Sequence, residues 1–287
     1  MKLIEHQTTD DHFIVTKEYR RFQEFCDACR RDRYIGLCYG PAGVGKTLSA
    51  RHYTQWDALE NMNSVHSSER ILKTPPFFRT ARTVFFTAEV VNSPRKTMDA
   101  IQYYIKRLQE LVYNAEMAEL IGKEEISPPY PDNWKKVLAH NSYEHIELLI
   151  IDEADRLKAP TIEEIRDFYD RNHFGIVFIG MLGIEKRLSR YPQLYSRIGF
   201  AHEFKHLSSK ELFFIMEHYF RELNIGLNPD DFTDHETITT IVSVTRGNFR
   251  LFRRLFTQIK RIMQINNTST VTKEIVQAAR ECLVIGL

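Results

Sequence analysis

The chain has 287 residues, room for a well-buried core and a second, smaller domain, because single domains usually run to about 100–200 residues. With 43% hydrophobic and 27% charged residues it is neither disordered nor fibrous, and a formal net charge of +1 rules out a globally basic nucleic-acid binder while leaving room for one basic face. Its longest apolar runs, "LLII" and "GIVFIGML", fall far short of the ~20 residues that span a bilayer, and "MKLIEHQTTDDH" is no signal peptide, so the expectation is a cytoplasmic protein with no membrane partner.

In chain order, "TKEYRRFQEFCDACRR" is predicted as an amphipathic helix capped by Thr16. It contains the chain's single CxxC, Cys26 and Cys29. A structural zinc site needs four ligands and no second pair follows, so the two thiols, spaced with Phe22 and Phe25 at helical intervals, read as core. A strand "YIGLCY", the loop "GPAGVGKT" and a helix through "LSARHYTQW" make one βα unit. Residues 60–82, with "TPPFF", read as a loop, and the strand "TVFFTA" follows.

Ser93 and Pro94 open a long helical pattern that "ISPPYPDN" ends, and the length of residues 111–133 suggests an insertion. A short helix "WKKVLAH", the strand "IELLIID", a helix from Pro160, the strand "GIVFIGM", the helix "GIEKRLSRY" and the strand "FAHEFK" come next. Apolar strands alternating with helices predict an α/β fold with a parallel five-stranded sheet flanked by helices. Past residue 206 only helical patterns remain, and Ser208 with Glu211 has the spacing of a capping box. The expected organisation is a leader and first helix over 1–32, a nucleotide-binding α/β domain over 33–206 and a small all-helical lid over 207–287.

The chemistry is concentrated in two motifs. "GPAGVGKT" matches G-x-x-x-x-G-K-[ST] at every fixed position, with a strand before it and a helix after. In such a loop, backbone N–H groups curl around phosphates and the helix N-terminus adds its positive end. Gly40, Pro41, Ala42, Gly43, Val44, Gly45, Lys46, Thr47 and Leu48 are therefore the expected ATP-binding residues, Lys46 meeting the β and γ phosphates and Thr47 ligating Mg2+. In "LLIIDEADRL" the apolar run places a strand in the sheet interior, and Asp152 emerges at its carboxyl end, where α/β sheets bind ligands. Asp152 is expected to hold the metal and Glu153 to polarise the attacking water. Asp155 reads as a cap or as a partner of Arg156 or Arg166. The letters DEAD do not make a helicase here, because nothing after residue 205 offers a second strand-rich motor domain.

A phosphate-loop domain followed by a helical lid carrying "RGNFR" resembles the AAA+ ATPases. That resemblance implies a lid arginine that senses the γ-phosphate, at the position of Arg250, and an arginine lent to the neighbouring subunit, at Arg197 with Arg190 as the alternative. Arg250 also shares its segment with Arg253, Arg254, Lys260 and Arg261, the composition of a solvated basic helix, so both roles stay open. The fourth strand of such domains normally ends in a polar residue, whereas this one offers Gly180 and Met181. Slow or partner-stimulated hydrolysis is therefore the expectation.

"LLIIDEADRL", "GIVFIGMLGIEKRL" and "YSRIGFAHEFKHLS" together look like the transposition regulators of the TnsC, TniB and MuB group. That resemblance implies assembly with ATP into rings or helical filaments on duplex DNA, without sequence preference. It further implies recruitment of a DDE transposase and a target selector of the TniQ kind, with or without an RNA-guided complex. The residues matching its DNA-tracking stretch are Arg95 and Lys96, with Lys106 and Arg107 further along the same helix. The competing reading is a signalling or remodelling AAA+ switch that acts on proteins and not on DNA. Phe13, Ile14 and Val15, just before the first helix, are the candidate adenine contacts.

Overall fold

In the computed structural model, the residues described are 13–65, 69–123, 145–222 and 232–283. Strands β1 (Ile35–Tyr39), β2 (Thr83–Thr87), β3 (Leu148–Asp152), β4 (Gly175–Gly180) and β5 (Ile198–Glu203) build one sheet in the order β2-β3-β4-β1-β5. Every pairing is parallel. All residues of β3 and β4 are buried, which is why "LLII" and "GIVFIG" are continuous apolar runs and not alternating ones. The edge strand β5 alternates half-buried and exposed positions. It starts at Ile198, two residues before the run "FAHEFK" that marks it in the sequence.

The helices of this part are α1 (Lys17–Asp32), α2 (Lys46–Thr54), α3 (Trp56–Asn61), α4 (Arg70–Lys73), α5 (Pro94–Gly122), α6 (Ala159–Asn172), α7 (Ile184–Leu188) and α8 (Pro192–Tyr195). Thr16 accepts the N–H of Tyr19 at 3.0 Å, and Ser93 accepts that of Lys96 at 3.3 Å, the expected caps of α1 and α5. The expected single helix through "LSARHYTQW" is broken at Gln55, whose φ of +50° ends α2 and starts α3. Between residues 60 and 82 the expected loop contains short helical turns, Met62–Ser64, Arg70–Lys73 and Pro76–Thr80. Leu111, Val112, Ala115 and Met117 are buried on α5, so the first part of the supposed insertion is the end of a core helix. "ISPPYPDN" and the "WKKVLAH" helix fall outside the described residues. Cys26 and Cys29 are fully buried, and burial pushes the Cys29 thiol up to about 12, the behaviour of core residues.

The remaining helices are α9 (Ser209–Glu222), α10 (Phe232–Thr245), α11 (Phe249–Asn266) and α12 (Lys273–Glu281), around a core of Leu212, Met216, Phe220, Ile241, Phe252 and Ile259. The capping box forms: Ser208 Oγ accepts the Glu211 N–H at 3.3 Å, and Glu211 accepts the Ser208 N–H at 3.0 Å.

The chain divides into two compact units, but not at the boundaries expected from sequence. Arg21–Tyr39 and Thr47–Glu203 form one; Ile14–Arg20, Gly40–Lys46 and the chain from Phe204 onward form the other. The phosphate loop thus belongs with the helices. The reason is local hydrogen bonding: Gly43 O accepts the Arg250 N–H at 2.9 Å and Ala42 O accepts from Asn248 Nδ2 at 2.9 Å. Ile14–Arg20 joins them because Glu18 accepts the N–H of Lys205 at 3.4 Å and its own N–H donates to Glu211 at 3.2 Å.

Candidate functional site

The loop Gly40–Lys46 follows β1 in the chain and ends where α2 begins. Gly43 and Gly45 have φ of +79° and +114°, conformations that a residue with a Cβ rarely adopts and that let a loop curl its N–H groups around an anion. At Gly43 space adds a second demand, because a Cβ there would lie 2.6 Å from Asn248 Oδ1. Lys46 is buried, and its Nζ donates to Gly40 O at 2.7 Å and Pro41 O at 2.8 Å. The ammonium is therefore fixed at the loop itself. Val44 is also buried, whereas Ala42 is exposed and Leu48 half-buried.

Asn248 is the residue of this region that sequence reasoning missed. Its Oδ1 caps α11 by accepting the Leu251 N–H at 3.0 Å, while its Nδ2 holds Ala42 O. The capping role has a sequence signal, Asn just before an apolar-periodic run. The bond to the loop has none.

At the end of β3, Asp152 is 3% exposed, and its Oδ2 accepts the Thr47 hydroxyl proton at 2.7 Å while Oδ1 accepts the Glu153 N–H at 2.9 Å. A hydroxyl and a carboxylate brought together are hard oxygen donors. They fit Mg2+, which takes one or two protein ligands and completes its shell with water and phosphate oxygens. Glu153 has φ of +55°, a left-handed conformation that costs a non-glycine residue roughly 1–2 kcal/mol and tends to be kept where function requires it. Its carboxylate is half exposed and lies 3.6 Å from Arg156.

Asp155 is not the partner of Arg156 or Arg166. Arg156 pairs with Glu153 and donates to Ala88 O, and Arg166 pairs with Glu163 and Asp170. Asp155 Oδ2 instead accepts the Met181 N–H at 2.7 Å, tying the end of β4 to the turn after β3. Gly180 is required there, since a Cβ would stand 2.6 Å from the same oxygen. Met181 itself is 40% exposed, so no polar side chain occupies the end of β4.

Arg197 Nε and Nη2 hold Asp170 at 2.6 and 2.9 Å, and Arg166 reaches the same carboxylate at 2.6 Å. Arg190 is exposed. The side chain of Arg250 is exposed as well, and its backbone N–H bonds the phosphate loop. Of the expected DNA contacts, Arg95, 92% exposed, has Asp99 at 3.9 Å, and Lys96 and Lys106 are exposed. Arg107 is a correction: it is 5% exposed, and its guanidinium donates to Asn63, Met62 O and Glu110, so it ties α5 to the preceding turn and offers nothing to a phosphate. Phe13 stacks on His52 with ring centroids 3.7 Å apart, Ile14 packs against the helical core, and Val15 is 44% exposed.

Comparison with known proteins matches this arrangement. A family described as "AAA domain" matches residues 29–188, more than half of the chain and inclusive of both motifs. A "Potential ATP-binding protein" of Staphylococcus aureus is 45% identical over 98% of this chain and 99% of its own length. Among solved structures, the Thermotoga maritima RuvB Holliday junction branch migration motor has a TM-score of 0.55 at 17% identity, covering 98% of this chain and 73% of its own. The Aeropyrum pernix ORC1 protein, solved in complex with DNA, also reaches 0.55 at 17% identity, over 93% and 65%. At such identities the likeness is one of fold. The family match, the near full-length relative and the loop and strand-end geometry together place this chain in the AAA-domain family, with the AAA+ phosphate-loop NTPase fold.

Proposed function

We propose that this chain is an ATPase that assembles on duplex DNA with ATP, regulates DNA transposition by recruiting a DDE transposase to its target, and disassembles on hydrolysis. The observation that carries the nucleotide chemistry is the 2.7 Å contact between Thr47 and Asp152, which joins the two motifs at one hydroxyl–carboxylate pair. In this reading the Gly40–Lys46 amides and the Lys46 ammonium hold the phosphates, and Thr47 and Asp152 hold Mg2+. The metal, when bound, neutralises charge on the phosphate oxygens. Glu153 orients and deprotonates the attacking water, Arg250 contacts the γ-phosphate, and Arg197 serves a neighbouring subunit. The fold likeness to a protein solved with DNA supports the DNA part, as do the adjacent, exposed Arg95 and Lys96. Transposition rests on the sequence resemblance to the TnsC, TniB and MuB group.

The test is electron microscopy of the protein with duplex DNA and a slowly hydrolysed ATP analogue at low salt. DNA-dependent assemblies are expected, and their absence would sink the proposal. Glu153→Gln is expected to assemble and lose turnover, whereas Lys46→Ala loses nucleotide binding. A second reading, a switch that acts on a protein partner, is favoured by Val90 and Val91, 74% and 77% exposed in the loop that leads to Arg95. In that case assembly proceeds without DNA, and Arg95→Ala and Lys96→Ala change nothing.

A further inference from the structure

Helix α11 carries Arg250, Arg253, Arg254, Lys260 and Arg261 and no acidic residue, so this one helix contributes +5 and the rest of a chain of net charge +1 sums to −4. All five are exposed, on the face opposite buried Phe252, Leu255, Phe256, Ile259 and Met263. At 100° per residue they occupy one continuous stripe with Thr257 along its middle. Other arginines among the described residues are neutralised: Arg51, Arg70, Arg107, Arg166 and Arg197 all pair with carboxylates. None of the five on α11 pairs with a carboxylate among the described residues.

The arrangement is unfavourable for the helix alone. Arg250 repels Arg253 and Arg254 at the i+3 and i+4 positions, and all three stand near the N-terminus, where the helix dipole disfavours cations. Uncompensated repulsion of this kind is relieved by an external polyanion. Four of the five are arginines, whose planar fork matches phosphate oxygens. From Arg250 to Arg261 the stripe runs about 16 Å, the axial rise of roughly five successive phosphates on one DNA strand. Between Arg250 and Arg261 the exposed positions are Arg, Thr and Lys, and the one exposed large apolar side chain of the helix, Ile265, lies a turn beyond the charged stretch and not at its centre, where a protein interface places its apolar anchors.

We infer that Arg253, Arg254, Lys260 and Arg261 of α11 form a phosphate-backbone track for duplex DNA, separate from Arg95 and Lys96. The inference rests on the DNA-binding part of the proposed function and adds a second binding surface in the lid. It is sequence-independent, because phosphate contacts position a protein without reading bases.

The experiment is fluorescence anisotropy of the full chain on a labelled duplex with a slowly hydrolysed ATP analogue, repeated across salt concentrations. Replacing all four residues with Gln should weaken binding at least tenfold. It should also lower the slope of log K against log salt by roughly two to four, at ~0.9 for each phosphate that is no longer neutralised. The triple variant Arg253→Lys, Arg254→Lys, Arg261→Lys, which keeps the charge beside the native Lys260, should retain the native slope, and the Gln variant should melt no lower than the parent. An unchanged slope in the Gln variant overturns the inference. If Arg95→Ala with Lys96→Ala abolishes binding while the Gln variant binds normally, the inference fails and the DNA-binding function stands. If the parent binds no duplex, the DNA reading falls as a whole. Displacement of DNA by polyglutamate as readily as by unlabelled duplex would also overturn it, in favour of an acidic protein.

Discussion

The carboxamide of Asn248 is used at both ends, and the two uses separate by mutation. Its oxygen caps α11 and its nitrogen holds Ala42 O in the phosphate loop. Serine is an equally good cap but too short to reach that carbonyl. Asn248→Ser should therefore keep thermal stability and lose one hydrogen bond to the loop, worth about 0.5–1.5 kcal/mol, or roughly 2–10-fold in affinity. A fluorescent ADP analogue reads that affinity directly. Asn248→Ala should lose the cap too, at about 0.5–2 kcal/mol of stability. ADP binding by Asn248→Ser as tight as in the parent would mean that the bond to Ala42 does not shape the loop. Residue identities in "GPAGVGKT" were legible in the sequence because a phosphate loop needs glycines where φ is positive, and Gly43 and Gly45 meet that demand. The latch was not legible, because 206 residues separate Asn248 from Ala42.

Among elements, the sequence was most informative where a single local cause sufficed. Continuous apolar runs marked β3 and β4, and Ser93 with Pro94 marked the start of α5. It was least informative where a partner distant in the chain decides. Arg107 looked like a surface cation, but α5 is buried around much of its circumference and the guanidinium satisfies Met62 O and Asn63. Asp155 looked like a cap or an arginine partner, yet it binds a backbone N–H 26 residues away. That role predicts a stability phenotype. Asp155→Ala should cost about 1–2 kcal/mol in chemical denaturation, the worth of a hydrogen bond to a charged group less a discount for partial exposure. Asp155→Asn, which keeps an acceptor, should recover most of it. Both variants should bind nucleotide normally, because Thr47 and Asp152 are untouched. Loss of binding at unchanged stability would move Asp155 into the site.

At the scale of the whole molecule, the proposed assembly on ATP requires one arginine to complete a neighbour's site. In the single chain Arg197 is held by Asp170 through two bonds, at 2.6 and 2.9 Å, and donates to the exposed Gln193 O, which water can satisfy instead. Its release is not prohibitive, because Arg166 already reaches the same carboxylate at 2.6 Å and keeps it paired. Arg197→Ala should thus fold, with a modest loss of stability, and bind ATP like the parent while hydrolysing it at least tenfold more slowly, given the 10³–10⁵-fold worth of such arginines in related phosphoryl transfers. Slow hydrolysis alone would not show action in trans. Mixing does: Glu153→Gln subunits have a dead site and an intact Arg197, and Arg197→Ala subunits have the reverse defect. In a mixed assembly a Glu153→Gln subunit lends its arginine to a neighbour whose own Glu153 is intact, so turnover should rise above that of either variant alone. It should grow with protein concentration, because only assembled subunits share sites. No recovery on mixing would overturn action in trans by Arg197 and leave it as the partner of Asp170 within its own chain, and recovery only when Arg190→Ala replaces Arg197→Ala would assign the role to Arg190.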